Sequence, residues 1–315
     1  MTPIDLIEKI NELKEKKNAV ILAHNYQLPE IQDIADFTGD SLGLSIQASK
    51  TKADVIVFCG VYFMAETAKI LSPHKTVIIP EKDAGCPMAD MITADQLRSL
   101  KMRHPWAKVV CYVNTPAAVK AESDVCCTSA NAISVLKDMF TDEDEIIFVP
   151  DKYLGTYASA QANRNVIPWH GYCPSHARIL PEHIEQLKAL HPEAKVLAHP
   201  ECNGLVVASA DAVVSTSGML RYVRESDARE FIIATEPGMV YPLQKEHPDK
   251  EFYAATELAI CRNMKMVTLE KLLRSLEDMD HQVELPESII HKAQKSINNM
   301  IRYKEQSVAA SAVTP

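Results

Sequence analysis

One pattern constrains this chain more than any other: short runs of aliphatic and β-branched residues recur in three sets. They cover 18–24, 53–60 and 75–80, then 107–114, 123–127 and 145–150, then 194–200, 210–216 and 230–236. The first runs begin near Val20, Val109 and Val196, 89 and 87 residues apart, and the second runs open on Ala53-Asp54, Ser123-Asp124 and Ala210-Asp211. A period this long is too large for a solenoid and predicts a domain present three times. Nearly continuous apolar runs separated by helical periodicity read as parallel strands buried on both faces. The expected fold is therefore α/β: three similar three-layer αβα units with parallel sheets about a pseudo-threefold axis, spanning 18–105, 106–192 and 193–267. Helices are expected in the flanks, 1–17 and 268–303, where Thr2-Pro3 offers an N-cap with a first-turn proline and Pro286 opens a second helix. Residues 304–315 have nothing to pack against and are expected to form a disordered tail.

With 315 residues, 47% of them hydrophobic, the chain has material for two or three cores. Its formal charge of −9 and the absence of a Lys/Arg run exclude a nucleic-acid or anionic-membrane partner, which would need a basic face. A small molecule is the expected ligand. No apolar stretch near the start is long enough for a signal peptide or a membrane span, so the protein is expected in the cytoplasm. There the eight cysteines stay reduced and must serve as apolar filling, metal ligands or nucleophiles.

Three of them follow the strand period. Cys86, Cys173 and Cys261 lie 87 and 88 residues apart, and residues placed alike in three units meet where the strand C-termini of such sheets bind ligands. Cys86-Pro87 and Cys173-Pro174 sit in turn contexts after Gly85 and Gly171-Tyr172, and Cys-Pro recurs among iron–sulfur ligands; Cys261 sits in a different one, Ile-Cys-Arg-Asn-Met. The close Cys-x2-Cys pairs usual for zinc are absent. Three thiolates from three units suit a cubane cluster whose fourth iron stays open to a ligand. Even spacing by chance is the competing reading. Cys59, Cys111, Cys126, Cys127 and Cys202 fall within or against strands and read as small buried hydrophobes.

Polar residues cluster at the ends of the same strands. The first runs deliver His24-Asn25-Tyr26, Tyr112-Val113-Asn114 and His199-Pro200-Glu201. The second deliver Thr128-Ser129 and Ser215-Thr216 where helices should begin, with Ser41 as a third hydroxyl, and such hydroxyls beside free backbone N–H groups suit an anion. Singly, each is as readily a helix cap or a hydrogen-bonded core residue. Together they make a pocket for an acidic, phosphorylated substrate whose reaction moves protons and loses water.

The segments that carry these residues resemble the quinolinate synthase family over nearly the whole chain: His24-Asn25-Tyr26-Gln27, FMAETAKILSPHKTVIIPEKDAGCPMAD, YVNTPAAVKAESDVCCTSANA, WHGYCPSH, HPEC and STSGM. The resemblance implies a triplicated α/β fold with one [4Fe-4S] cluster on Cys86, Cys173 and Cys261. It implies condensation of iminoaspartate with dihydroxyacetone phosphate to quinolinate, phosphate and water, for NAD biosynthesis, with the open iron as Lewis acid. His24, Ser41, Tyr112, Val113, Asn114, Ser129, His199, Pro200, Glu201 and Thr216 would then bind substrate. Glu201, with His24, Tyr26 and His199, would be catalytic. An L-aspartate-oxidising enzyme would supply iminoaspartate through a transient contact. Where some members carry Cys-x2-Cys-x2-Cys, this chain has Cys261-Arg262-Asn263-Met264, so thiol–disulfide regulation on that run is not expected. Two other readings remain on sequence grounds: a cluster-dependent hydro-lyase, and a non-catalytic iron–sulfur or redox sensor, for which no output surface is visible.

Overall fold

The computed structural model describes residues 2–311, with side chains through residue 302. Twelve strands form three four-stranded parallel sheets. The first holds β1 (Ala19–His24), β2 (Phe37–Gly39), β3 (Val55–Cys59) and β4 (Thr76–Ile78). The second holds β5 (Lys108–Tyr112), β6 (Val125–Cys127), β7 (Ile146–Val149) and β8 (Val166–Pro168). The third holds β9 (Lys195–Ala198), β10 (Ala212–Val213), β11 (Glu230–Ala234) and β12 (Glu251–Ala254). Every sheet has the same order, second–first–third–fourth, and helices flank each one. The architecture is thus three similar αβα units, as the recurring runs require.

The sequence reading missed β2, β8 and β12, and misaligned one unit. Those strands lie at or beside sheet edges and are largely half-buried or exposed, so no continuous apolar run announces them. The run at 53–60 is the third strand of its sheet rather than the second, and Asp54 is therefore not the counterpart of Asp124 and Asp211. Asp36 is. Its Oδ2 accepts the Ile21 amide, as Asp124 Oδ2 accepts that of Val109 and Asp211 Oδ2 that of Val196, each at 2.8 Å. The Asp36, Asp124 and Asp211 amides donate back to the carbonyls of the same three residues. This reciprocal pair fixes the register of the second strand on the first in all three units.

The flanking helices close the cores. Helix Pro3–Lys16 begins in a capping box between Thr2 and Asp5 and packs Leu6 and Ile10 against Leu269, Leu272 and Leu276 of helix Leu269–Asp278. Helix Glu287–Ser311 sends Ala293, Ile297 and Met300 into the large core that runs through all three units. It continues past residue 303, where the sequence reading ended it; residues 312–315 of the expected tail lie outside the described residues. No helix among the described residues is long and apolar enough to cross a membrane.

Candidate active site

The matched registers place equivalent side chains at equivalent strand ends. His24 and Tyr112 close β1 and β5, and His199 directly follows β9. Two residues further on come Tyr26, Asn114 and Glu201. The second strands lead to Asp40, Thr128 and Ser215, followed by the hydroxyls of Ser41, Ser129 and Thr216; Asp40 and Ser215 cap the helices that start there. All of these except Ser215 line one cavity of about 220 Å³, with Cys86, Cys173 and Cys261 on its wall. Sheets of this kind take ligands at such a place because parallel β-strands leave their C-terminal ends open between diverging loops.

A hydrogen-bonded chain crosses the cavity floor. Glu201 Oε1 accepts from the Tyr112 hydroxyl, and its Oε2 lies 2.8 Å from His176 Nδ1. His176 Nε2 is 2.8 Å from Thr235 Oγ1, which is 2.5 Å from the Tyr26 hydroxyl. His176 stacks on His199 with centroids 4.7 Å apart, and His199 Nε2 meets Ser129 Oγ at 3.1 Å. Asn25 Nδ2 donates to Thr216 Oγ1 at 2.9 Å, tying the first unit to the third.

Burial sets the protonation of the site. Desolvation holds His24 down at about 4 and His199 at about 3, so both are neutral imidazoles at neutral pH. Desolvation, reinforced by the Glu201 charge, keeps Tyr26 and Tyr112 as phenols. Burial works to raise the Glu201 carboxyl, but the charge and hydrogen bond of His176, with the Tyr112 hydroxyl, outweigh it and hold it well below the usual carboxylate range.

The donor set at the cavity wall suits a metal group. Cys86, Cys173 and Cys261 are free thiols contributed by the three units. Burial pushes Cys86 up to about 12 and raises the other two, and charge on one of the three opposes charge on the others. They are therefore thiols rather than thiolates at neutral pH. Backbone contacts hold the loops in place: the Cys261 amide donates to Glu236 Oε1 at 3.1 Å, and the Lys152 amide donates to the carbonyl of Gly171, two residues before Cys173, at 2.9 Å. Gly171 is needed beside Cys173, because a Cβ there would stand 2.5 Å from the Pro150 carbonyl oxygen. Cys173, His176 and Glu201 bring donor atoms within 4.8 Å of one another and could hold a metal ion; Cys86 and Cys261 stand outside that group.

The family model for the quinolinate synthetase A protein matches residues 8–302. The chain belongs to this enzyme family. A quinolinate synthase of Dehalococcoides mccartyi strain CBDB1 is 56% identical over 294 residues, covering 93% of this chain and 97% of that protein. Quinolinate synthase 1 of Methanosarcina acetivorans is 54% identical over 304 residues, covering 96% and 99%. The quinolinate synthase of Geobacter metallireducens is 53% identical over 294 residues, covering 93% and 96%.

Of the residues singled out from the sequence of this quinolinate synthase family member, Val113 and Pro200 do not border the cavity. Both are buried. Each is the middle member of its triplet, and side chains alternate in direction along an extended segment, so these two turn away from the ligand side. The sequence reading missed His176, Thr235, Asp40, Glu236, Arg178 and Arg262. His176 was detectable as Cys173-x2-His176. Thr235 and Glu236 directly follow β11 at the end of the apolar run 230–236, whose pattern marks a strand and no site.

Proposed function

We propose that this enzyme makes quinolinate for NAD biosynthesis, condensing iminoaspartate with dihydroxyacetone phosphate and releasing phosphate and two waters. The observation that carries this reading is the meeting, in one cavity, of a thiol from each unit with the Glu201–His176–Tyr112 chain, in a member of the quinolinate synthase family. Cys86, Cys173 and Cys261 would hold one [4Fe-4S] cluster, since a donor set reaching beyond Cys173, His176 and Glu201 calls for a polynuclear group rather than a single ion. Bound there, the cluster would supply a Lewis-acidic iron.

The chain's own residues account for binding and proton movement. Ser41, Ser129 and Thr216, at or near helix starts, offer hydroxyls and N–H groups to phosphate and carboxylate oxygens. Neutral His24 and His199 can each accept or give one proton within the cavity. Glu201, ionised and facing His176, is the base that takes a carbon-bound proton and returns it to a departing hydroxyl. Arg178 and Arg262 border the cavity with exposed side chains, and so favour entry of anions into a protein of net charge −9. We further propose a cytoplasmic enzyme that takes iminoaspartate from an L-aspartate-oxidising enzyme by transient contact and uses no nucleic-acid or membrane partner. The test is anaerobic purification, iron and sulfide analysis, and assay of quinolinate and phosphate from the two substrates. Iron-loaded protein that releases no phosphate from the triose phosphate would reject the reading in favour of a hydro-lyase.

A further inference from the structure

Two lysines sit behind the cavity wall and take no part in the chemistry above. Lys120 ends the short helix Ala117–Lys120 and is wholly buried. Burying an ammonium is costly unless both its hydrogens and its charge are answered. Its Nζ donates to the Thr115 carbonyl oxygen and lies 5.3 Å from the centroid of the Phe63 ring, itself part of the cavity wall. Glu66 of the first unit, on helix Tyr62–Leu71, opposes that charge from beyond ion-pair distance, and its Oε2 accepts the Ala117 amide at 3.0 Å. Thr115 directly follows Asn114, whose Oδ1 is buried, lacks a hydrogen-bond partner and belongs to a residue lining the cavity.

Lys265 repeats the arrangement elsewhere. Its Nζ donates to the Tyr26 carbonyl oxygen and pairs with Glu236 Oε1 at 3.1 Å, the Glu236 side chain having no exposure. In both places a lysine grips a carbonyl of the loop that leaves a first strand, and the lysine, loop and carboxylate together span a unit boundary. The third such loop, which carries Glu201, is held without charge: Asn203 Nδ2 donates to the Ile179 carbonyl at 3.1 Å.

We propose that Lys120 with Glu66, and Lys265 with Glu236, are positioning pairs that lock the loops of the second and first units across unit boundaries and so aim Asn114 and Tyr26 at the substrate. An apolar side chain of lysine's size would fill the same space and, once the carboxylate was also neutral, would leave only the Thr115 carbonyl oxygen without its donor. What it could not do is hold the loop carbonyl. The inference rests on the functional reading above, since it takes the cavity to be the substrate site.

The Lys120 pair is the one to test, because neither member borders the cavity. Lys120→Met and the double variant Glu66→Gln/Lys120→Met would be purified anaerobically with their cluster. Each would be measured for melting temperature, iron content and quinolinate affinity by calorimetry beside the wild type. Lys120→Met should melt below wild type, because Glu66 is left unanswered. The double variant should melt above Lys120→Met, short of wild type only by the cost of the unpaired Thr115 carbonyl oxygen, and keep its iron, yet bind quinolinate ~10-fold or more weakly, as expected when a bond that orders a ligand-binding amide is lost. A double variant that binds as wild type does, or that cannot fold, would overturn the proposal, since either outcome assigns the pair to the fold alone. A wild type that binds no quinolinate would instead bring down the functional reading, and this inference with it.

Discussion

Glu201→Gln is the substitution that most directly probes the proposed chemistry. Glu201 and His176 have side chains only 4% and 3% exposed, so solvent screening takes little from their interaction. The glutamine has the same shape, and its oxygen can still accept from the Tyr112 hydroxyl. Its amide nitrogen then faces His176 Nδ1, so the imidazole must become the acceptor there and carry its proton on Nε2 toward Thr235 Oγ1. One charge-assisted hydrogen bond is lost, worth about 1.5–3 kcal/mol of stability, so the variant should fold and hold iron but melt a few degrees lower. Turnover should suffer far more: a glutamine cannot exchange a proton, and removing a general acid–base group commonly costs about 10²–10⁴-fold. The measurements are quinolinate formation under anaerobic conditions, iron and sulfide content, and calorimetric binding of quinolinate. A fully loaded variant with turnover within about threefold of wild type would refute the role given to Glu201.

Other substitutions test the remaining assignments. Cys86→Ser, Cys173→Ser and Cys261→Ser should each lose visible iron–sulfur absorbance and activity. Cys59→Ala and Cys127→Ala, which alter fully buried sulfurs, should keep both at a packing cost of about 1–3 kcal/mol; iron analysis that reverses this division would show the wrong cysteines chosen. Ser129→Ala and Thr216→Ala should each weaken quinolinate binding by about 1.5–3 kcal/mol if they hold its carboxylates, and unchanged titrations for both would leave them as ordinary residues of helix starts. Acid should loosen the fold through His24. Its folded-state value of about 4 lies below that of an unfolded histidine near 6.5, so the unfolded chain binds the extra proton between those values and stability falls as pH drops. This amounts to about 2 kcal/mol by pH 5. Urea unfolding at pH 7 and pH 5 should show His24→Gln losing less stability than wild type, and equal losses would show that His24 is not buried neutral.

The sequence by itself determined the triplication, the parallel strands and the polar strand-end residues of the cavity wall. Central strands of parallel sheets are buried on both faces, so β1, β3, β5, β7, β9 and β11 stand out as apolar runs, and the period they set picks out Cys86, Cys173 and Cys261 among eight cysteines. The same period relates His24, Tyr112 and His199, and Ser41, Ser129 and Thr216. Tertiary structure decided whatever depends on which segments become neighbours. The short β2 is mostly exposed and carries no apolar signature, so only its pairing with β1 reveals Asp36 as the partner of Asp124 and Asp211. His176 joins the cavity because a helix turn after Cys173 brings it to Glu201, 25 residues away in sequence and 2.8 Å away in space. Nothing in the sequence around Lys120 marks it as buried. Only the packing of helices Tyr62–Leu71 and Glu287–Ser311 around it turns it into a buried ammonium that must find the Thr115 carbonyl oxygen. Composition and periodicity report which side chains prefer burial; the partner a buried polar group finds depends on contacts between units that no local pattern encodes.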